Sequence, residues 1–195
     1  MKFYGQFDPP QDQVLYERYF KNFSGKGVCL ECGAVDGVNL SSTKFFEETL
    51  GWMAINIEVH PNSFKKLITN RPNSININIA LSDIKGNAKL VTGVNFFLRA
   101  YVTTREKKDG LHIERDTYKN VVDQLPIDHI DLMVLDVEGH EVRALTGMKD
   151  SRLMPNILCV EINHSNKIQL KELIESMGYK FDSSIYINDV YIKRR

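Results

Sequence analysis

Short apolar runs recur along the chain and have the length of β-strands. DLMVLDVEG (131–139) and ILCVEIN (157–163) are continuously apolar until an acid interrupts them, which is typical of central strands that are buried on both faces. In SININIALSD (74–83), isoleucine alternates with polar residues before Ala80 and Leu81. With VCLEC (28–32) and MAINIEVHP (53–61), the pattern predicts five strands between residues 28 and 163.

Segments with helical spacing of apolar residues separate these runs. The segments are residues 15–23, SSTKFFEETL (41–50), SFKKLITN (63–70), HEVRALTGM (140–148) and NKIQLKELIESMG (166–178). IERDTYKNVVDQL (113–125) predicts a short strand followed by a helix, and residues 87–106 predict one or two irregular strands and a loop. Two strand-like pieces around the turn residues Asn188 and Asp189 close the chain.

Alternation of strand and helix predicts an α/β fold, with a parallel sheet that is covered by helices on both faces. The sequence has no internal repeat, low-complexity tract or linker. We therefore expect one domain over 1–195, with residues 1–24 as an N-terminal helical segment packed on it.

Composition narrows the classes of partner. The 195 residues contain 25 Lys and Arg and 25 Asp and Glu, so no overall positive field favours nucleic acid or an acidic membrane. Cys29, Cys32 and Cys159 lack the second pair that a zinc site needs, and we interpret them as reduced core residues. The first residues, MKFYGQFDPP, lack the features of a signal peptide, and no apolar run approaches the roughly 20 residues of a membrane span. These features predict a cytoplasmic protein without a membrane partner.

Polar groups, most of them acids, follow every predicted strand. In an open parallel sheet, ligands bind at the carboxyl ends of the strands, near the point where the strand order reverses. A purely structural sheet does not need this many carboxylates so close together. The strand-end residues are Glu31, Gly33, Gly37, Glu58, Ser82, Asp83, Asp136, Glu138, His140, Glu161, Asn163 and His164.

The first strand is followed by two glycines, Gly33 and Gly37, with Glu31 and Asp36 beside them. The spacing differs from the G-x-G-x-x-G of dinucleotide-binding enzymes, and acids beside a pyrophosphate would repel it. S-adenosylmethionine carries a sulfonium, an ammonium and no phosphate. Glu58 ends the next strand about twenty residues later, where an acid can bind ribose hydroxyls. The motif therefore favours S-adenosylmethionine over NAD.

Four segments together resemble the FkbM-type S-adenosylmethionine-dependent methyltransferases. These are GVCLECGAVDGVNLSSTKFF, GWMAINIEVHPNSFKKL, IALSD and IDHIDLMVLDVEGHEVRAL, in the order that the family has them. The resemblance implies a Rossmann-like methyltransferase fold: a mostly parallel seven-stranded sheet with helices on both faces and an antiparallel C-terminal hairpin. It also implies a small hydroxylated acceptor, commonly a saccharide.

The same resemblance assigns cofactor contacts by position. It places Glu31, Gly33 and Gly37 at the methionine end, Glu58 at the ribose, and Ser82 with Asp83 at the adenine. The predicted contacts are Gln11, Asp12, Glu31, Gly33, Ala34, Asp36, Gly37, Ser41, Glu58, Val59, Ser82, Asp83, Asp136, Val137 and Glu138.

Methyl transfer to a hydroxyl requires alignment of the two reactants and removal of a proton from the acceptor. Asp136, Glu161 and His164 are the predicted catalytic residues, with His140 ranked below His164. Asp136 has an alternative role as a helix N-cap, and a lone histidine in a loop is more often merely exposed. Asp136, Glu161 and a neighbouring carboxylate are also candidate Mg²⁺ ligands, although no spacing demands a metal.

Three other functions stay open on the sequence. They are 2′-O-methylation of nucleic acid, which the neutral charge disfavours, a non-catalytic cofactor-binding domain, and an NAD oxidoreductase, the least favoured. The sequence predicts neither the identity of the acceptor nor the oligomeric state.

Overall fold

The computed structural model describes residues 1–92, 100–103 and 110–194. Within these ranges it contains six α-helices, one π-helical turn (Tyr16–Phe20) and eleven strands. The helices are α1 (Gln11–Leu15), α2 (Lys44–Leu50), α3 (Pro61–Asn70), α4 (Tyr118–Val122), α5 (Glu141–Thr146) and α6 (Lys167–Ser176). The strands are β1 (Val28–Cys32), β2 (Met53–Ile57), β3 (Ile75–Ile77), β4 (Ala80–Ser82), β5 (Gly86–Thr92), β6 (Ala100–Thr103), β7 (Leu111–Thr117), β8 (Leu132–Leu135), β9 (Ile157–Glu161), β10 (Tyr179–Ile185) and β11 (Asn188–Lys193).

The larger sheet has seven strands in the order β10-β11-β9-β8-β1-β2-β3. Strands β3, β2, β1, β8 and β9 are parallel, and the hairpin of β10 and β11 joins β9 in antiparallel orientation. The predicted fold class, including its seven strands and antiparallel C-terminal hairpin, is confirmed. Chain order reverses between β1 and β8, so the carboxyl ends of these strands flank the position where ligands bind in such sheets.

Alternate residues of the central strands enter two different cores because successive side chains point to opposite faces. Leu30 packs with Ile55 and Met133 on the face that α4, α5 and α6 cover. Cys29 packs on the other face, against aromatic residues of α2 and the N-terminal segment such as Phe45 and Phe20. All three cysteines are buried and free, as expected.

The predicted third strand is wrong in one respect: it is two strands in two sheets. β3 pairs with β2, but β4 pairs with β7 in a second sheet of order β4-β7-β5-β6. Between them, the Asn78 side chain donates to the carbonyl oxygens of Glu58 and Val59, which fixes the chain as it leaves β3. Residues 87–106 supply most of β5 and all of β6, and part of this stretch lies outside the described residues.

The N-terminal segment begins its helix earlier than the sequence predicts, at Gln11, and continues as the π-helical turn to Phe20. Leu15 and Phe20 are both buried in the core next to α2. Throughout the described ranges, no helix has the length and apolar character to cross a membrane.

Candidate active site

A cavity of about 760 Å³ lies at the carboxyl ends of β1, β2, β8 and β9. This volume is within the usual range for a small-molecule or cofactor site. Most of the predicted site residues line it: Gln11, Glu31, Gly33, Ala34, Ser41, Glu58, Val59, Asp136, Val137, Glu138, Glu161 and His164, together with His140 and Asn163. Five do not line it: Asp12, Asp36, Gly37, Ser82 and Asp83.

Gly33 brings the loop after β1 into contact with the end of β8. It has φ +91°, and a Cβ atom here would lie 1.8 Å from the carbonyl oxygen of Asp136. The backbone N–H groups of Gly33 and Ala34 donate to the carbonyl of Ile57, at 2.9 and 3.2 Å. These contacts draw the ends of β1, β2 and β8 together around the cavity.

Glu31 holds the segment that follows this loop. Its Oε2 accepts hydrogen bonds from the hydroxyls of Ser41 and Thr43, both at 2.7 Å, and Oε1 accepts from the Ser42 N–H at 2.6 Å. The carboxylate is buried but lines the cavity, and carboxylate oxygens together accept about four hydrogen bonds. Glu31 therefore orders the cavity wall and keeps capacity for one further donor.

Glu58 is held by two backbone amides at the end of β2. Oε2 accepts from Val35 N–H at 2.8 Å and Oε1 from His60 N–H at 2.6 Å. Burial raises the pKa of Glu58 to about 7, against the opposing effect of these hydrogen bonds. The carboxyl is thus fixed in orientation and faces the cavity at the strand where a ribose-binding acid is predicted.

Asp36 and Gly37 have structural roles in place of the predicted cofactor contacts. Asp36 Oδ1 accepts from the N–H groups of Val38 and Asn39, which closes an Asx turn. Gly37 has φ +76°, and a Cβ atom here would lie 2.5 Å from the side chain of Leu67 in α3. The second glycine of the motif therefore serves packing against α3.

Of the two predicted contacts in the N-terminal segment, Gln11 and Asp12, only one reaches the cavity. Gln11 lines the cavity, where it donates to Cys159 Sγ and accepts from Asn188 Nδ2. Asp12 is fully buried, and its carboxylate accepts from the N–H groups of Tyr4, Gly5 and Gln13. It ties the first residues of the chain to α1 and does not contact the cavity.

Ser82 and Asp83 lie behind the cavity wall. Asp83 forms ion pairs with Arg143 and Arg115, and the Ser82 hydroxyl contacts Asp83 and His140 Nε2. They do not line the cavity where contact with adenine is predicted. The residues of this segment that do line it are Ile79 and, within β4, Ala80 and Leu81.

Asp136 and Glu161 end the adjacent strands β8 and β9, and their carboxyl groups interact directly. Burial raises the pKa of Asp136 to about 7 and that of Glu161 to about 8, with a further increase from the neighbouring acids. Glu161 is 3% exposed, and its Oε2 has no hydrogen-bond donor. The two predicted catalytic carboxyls are thus brought together at the cavity.

The loop after β8 presents Glu138 to the cavity. Glu138 has φ +54°, a left-handed conformation that costs free energy for a residue other than glycine. Glu141, fully buried at the start of α5, fixes this loop: its Oε1 accepts from the N–H groups of Val137 and Gly139, both at 3.1 Å, and its Oε2 accepts from Ser165. His140 lies between this loop and α5 and lines the cavity. Burial, followed by the charge of Arg143, lowers the pKa of His140 to about 4.

His164 lies at the mouth of the cavity, opposite Glu138. Its Nε2 lies 3.3 Å from Glu138 Oε2 and 3.8 Å from Glu161 Oε1, and its side chain is 47% exposed. Among the described residues, the Glu138, Glu161 and His164 group is where potential metal ligands converge, with all three ligand atoms within 4.8 Å of one another. Of the two residues named as candidate Mg²⁺ ligands, Glu161 belongs to this group and Asp136 does not.

Sequence reasoning missed the apolar wall opposite the acids. It includes Ile79 and Leu81, with Leu90 of β5 and Val102 of β6 from the second sheet. Apolar residues in short strands carry no signal of which sheet they join, so these could be assigned only from the fold. His60 was also not predicted as a site residue. Its side chain lines the cavity and caps α3 by accepting a hydrogen bond from the Ser63 N–H.

The lining of the cavity is strongly acidic. Within the described part of the chain, it contains five carboxylates and neither Lys nor Arg; the carboxylates are Glu31, Glu58, Asp136, Glu138 and Glu161. Because Glu31, Glu58 and Glu161 are buried, a charge on them is screened less than a charge in water. The site suits a cationic ligand and opposes phosphate.

Comparison with known proteins agrees with this geometry. The family model described as the methyltransferase FkbM domain matches residues 31–181. No curated protein sequence matches the chain.

Several solved structures share the fold at low sequence identity. Methyltransferase FkbM from Methylobacillus flagellatus has a TM-score of 0.61 and 16% identity over 94% of this chain, and the chain spans 48% of that protein. A TehB-like S-adenosylmethionine-dependent methyltransferase from Corynebacterium glutamicum has a TM-score of 0.51 and 10% identity over 94% of this chain and 87% of its own. Methanococcus jannaschii fibrillarin, a pre-rRNA processing protein, has a TM-score of 0.52 and 15% identity over 86% and 66%.

Proposed function

The chain belongs to the FkbM methyltransferase domain family, and from this premise we propose that it is an S-adenosylmethionine-dependent methyltransferase that methylates a hydroxyl group of a small, unphosphorylated acceptor of the saccharide class. The acidic lining of the cavity carries the proposal. Five carboxylates without a Lys or Arg among the described lining residues favour a sulfonium cofactor and disfavour a phosphorylated acceptor.

We place the cofactor along the ends of β1 and β2. The methionine ammonium group lies near Glu31, which can accept one more hydrogen bond, and Gly33 allows the loop beside it to pack against the Asp136 carbonyl at the end of β8. The ribose hydroxyls lie at Glu58, whose orientation two amides fix. The adenine packs against the apolar Ile79 to Leu81 segment, in place of the predicted Ser82 and Asp83.

The acceptor lies toward the ends of β8 and β9, beyond the sulfonium. Its oxygen attacks the methyl carbon in line with the C–S bond, whose electron pair stays on sulfur to give S-adenosylhomocysteine. Asp136 receives the hydroxyl proton, because it ends the central strand directly opposite Gly33 at the cofactor loop.

Nucleic acid is the main rival acceptor. Fibrillarin shares the fold, but this likeness at 15% identity concerns the fold alone. Binding to nucleic acid depends on Lys and Arg contacts with phosphates, and the described residues of the cavity lining provide none. Both this rival and a non-catalytic cofactor-binding role are outcomes of the experiments that follow.

Thermal unfolding with S-adenosylmethionine, S-adenosylhomocysteine and NAD tests the cofactor. A ligand at about a hundred times its Kd adds about 2.7 kcal/mol, which raises Tm by roughly 5–11 °C for a domain of this size. We expect this shift with both sulfur compounds and not with NAD. No shift with either at millimolar concentration contradicts the proposal.

Transfer of a labelled methyl group to neutral saccharides, sugar phosphates and short RNAs tests the acceptor. We expect product with neutral saccharides only, and a 10²–10⁴-fold lower kcat in Asp136→Asn with the S-adenosylhomocysteine shift retained. Asp150→Asn is the matched control, since Asp150 is exposed and has a left-handed φ of +62° that Asn also tolerates. Methylated RNA would establish the rival, and cofactor binding without any methylated acceptor would favour the non-catalytic role.

A further inference from the structure

We infer that Glu138, Glu161 and His164 bind a divalent transition-metal ion at the acceptor end of the cavity. The inference deepens the proposed function, and its catalytic part rests on that function. Metal binding itself is measured without turnover.

The positions of the three ligand atoms match a shared metal ion. Around an ion with bonds of about 2.1 Å, neighbouring ligand atoms lie about 3.0–3.5 Å apart. His164 Nε2 lies 3.3 Å from Glu138 Oε2 and 3.8 Å from Glu161 Oε1, and all three atoms are within 4.8 Å of one another. The two distances from His164 Nε2 are thus within a few tenths of an ångström of this range.

Glu161 supplies an independent indication of a cationic ligand. Its side chain is 4% exposed, and Oε2 has no hydrogen-bond donor within the described structure. Asp136, whose carboxyl group interacts with that of Glu161, brings a second acid to the same position. A buried carboxylate without a donor is costly, and a bound cation removes that cost.

The backbone holds Glu138 in place for this role. Its left-handed φ of +54° persists because Glu141 accepts hydrogen bonds from the amides on either side of it, Val137 and Gly139. A ligand held by a fixed loop loses little conformational entropy when the metal binds.

The imidazole ligand indicates which metal is bound. Mg²⁺ prefers carboxylate, carbonyl and water oxygens, whereas imidazole suits transition metals such as Zn²⁺ and Fe²⁺, and mixed oxygen and nitrogen sites also accept Mn²⁺. Three protein ligands leave positions open, as in catalytic metal sites. A metal ion held by these residues would bind the acceptor hydroxyl and make its proton more acidic, and Asp136 would take that proton as the O–CH₃ bond forms and the S–CH₃ bond breaks.

A simple ion pair is the competing explanation for the His164 contacts. A protonated imidazole donates to Glu138, whereas a metal ligand uses the lone pair of neutral Nε2. The two explanations differ in one measurable respect, which is saturable binding of a transition metal.

Titration of EDTA-treated protein with Mn²⁺, followed by the electron paramagnetic resonance signal of free Mn²⁺, tests the inference. We expect one saturable site per chain, with affinity reduced at least about ten- to a hundredfold in Glu138→Gln and His164→Gln. Both side chains reach the cavity mouth, so the variants should fold, and circular dichroism confirms that they do. Zn²⁺ should compete for this site more strongly than Mg²⁺.

His129→Gln is the matched control. His129 is also 47% exposed and lies between two carboxylates, Asp128 and Asp131, but at the opposite end of β8. The His129→Gln variant should bind Mn²⁺ with the same affinity as the wild-type protein. Absence of saturable Mn²⁺ binding, or equal loss in His129→Gln, overturns the metal site; a retained Tm shift with S-adenosylhomocysteine would then leave the proposed function standing.

Discussion

The absence of a side chain at Gly33 allows the loop after β1 to approach β8 closely. Gly25 and Gly33 both have positive φ, +99° and +91°, so each position favours glycine on conformational grounds. They differ in surroundings: a Cβ atom at Gly25 meets no atom within 4 Å, whereas one at Gly33 meets the Asp136 carbonyl at 1.8 Å. Only Gly33 has a role beyond backbone conformation.

This difference predicts unequal effects of alanine. Gly25→Ala should lower the free energy of unfolding by about 1–2 kcal/mol, the cost of left-handed backbone alone. Gly33→Ala adds a clash with backbone and should cost about 1–3 kcal/mol more. Urea denaturation of both variants measures the difference, and equal losses would contradict the assigned contact.

The residue scale also shows the limit of sequence reasoning at the first loop. An acid at the carboxyl end of a strand or in the loop that follows predicts a ligand site, and this applies to Glu31 and Asp36 alike. Whether the carboxylate lines the cavity depends on where the loop turns, and Asp36 instead accepts hydrogen bonds from Val38 and Asn39. Glu31 lines the cavity because it lies within β1.

At the scale of elements, the first turn of α5 organises the loop that carries the acids. Glu141 accepts three hydrogen bonds, from Val137, Gly139 and Ser165, although it makes no contact with the cavity. It is a positioning residue for Glu138.

Substitution of Glu141 should separate positioning from mere stability. Glu141→Ala leaves two amides without their acceptor and should lower the free energy of unfolding by about 2–3 kcal/mol and kcat at least tenfold. Glu141→Gln keeps Oε1, while Ser165 can accept from the new amide, so stability and kcat should largely recover. Paired denaturation and kinetic measurements check this; a Gln variant as impaired as the Ala variant would contradict it.

Asp131 links the amino-terminal ends of the central strands, on the side of the sheet away from the cavity. Its carboxylate accepts from Val28 N–H and Asn156 Nδ2 and lies 3.2 Å from His129 Nε2. The hydrogen bond with Asp128, followed by the charge of Asp131, raises the pKa of His129 above its ordinary value of 6.5.

The raised pKa of His129 predicts a pH dependence of stability. Because the folded state binds the proton more tightly, the stabilisation is complete below about pH 6.5 and is lost as pH rises through the folded-state pKa. The difference in unfolding free energy between wild type and His129→Gln should therefore be below about 1 kcal/mol at pH 6 and vanish by pH 9. Urea denaturation across this range measures it, and a difference that grows with pH would be the wrong sign.

Elements with local signals could be predicted, and those set by distant pairing could not. The central strands are identified by continuous apolar residues bounded by turns, as in Val28–Cys32 and Ile157–Glu161. The second sheet depends on β4 pairing with β7, between Ala80 and Arg115, and local sequence carries no record of such a partner. The apolar wall of the cavity was missed for the same reason.

At the scale of the whole molecule, the neutral net charge of the chain contrasts with the acidic lining of the cavity. The chain is neutral, with 25 basic and 25 acidic residues, yet the described cavity lining holds five carboxylates and no Lys or Arg. Neutral composition gives no sign of this, because the basic residues within the described ranges lie outside the cavity lining.

The acidic cavity lining predicts that the cofactor, S-adenosylmethionine, binds more tightly than the product, S-adenosylhomocysteine. S-adenosylmethionine carries a sulfonium that S-adenosylhomocysteine lacks, so attraction of about 1 kcal/mol should make it bind roughly five- to tenfold more tightly to EDTA-treated protein. Because the carboxylates are buried, the ratio should persist from low to 0.5 M salt, unlike an attraction between exposed charges. Isothermal titration calorimetry of both compounds measures the ratio; Asp136→Asn should reduce it, while Asp150→Asn should not. Tighter binding of the product would show that the carboxylates do not face the sulfur, and the placement of the cofactor would have to be reversed within the cavity.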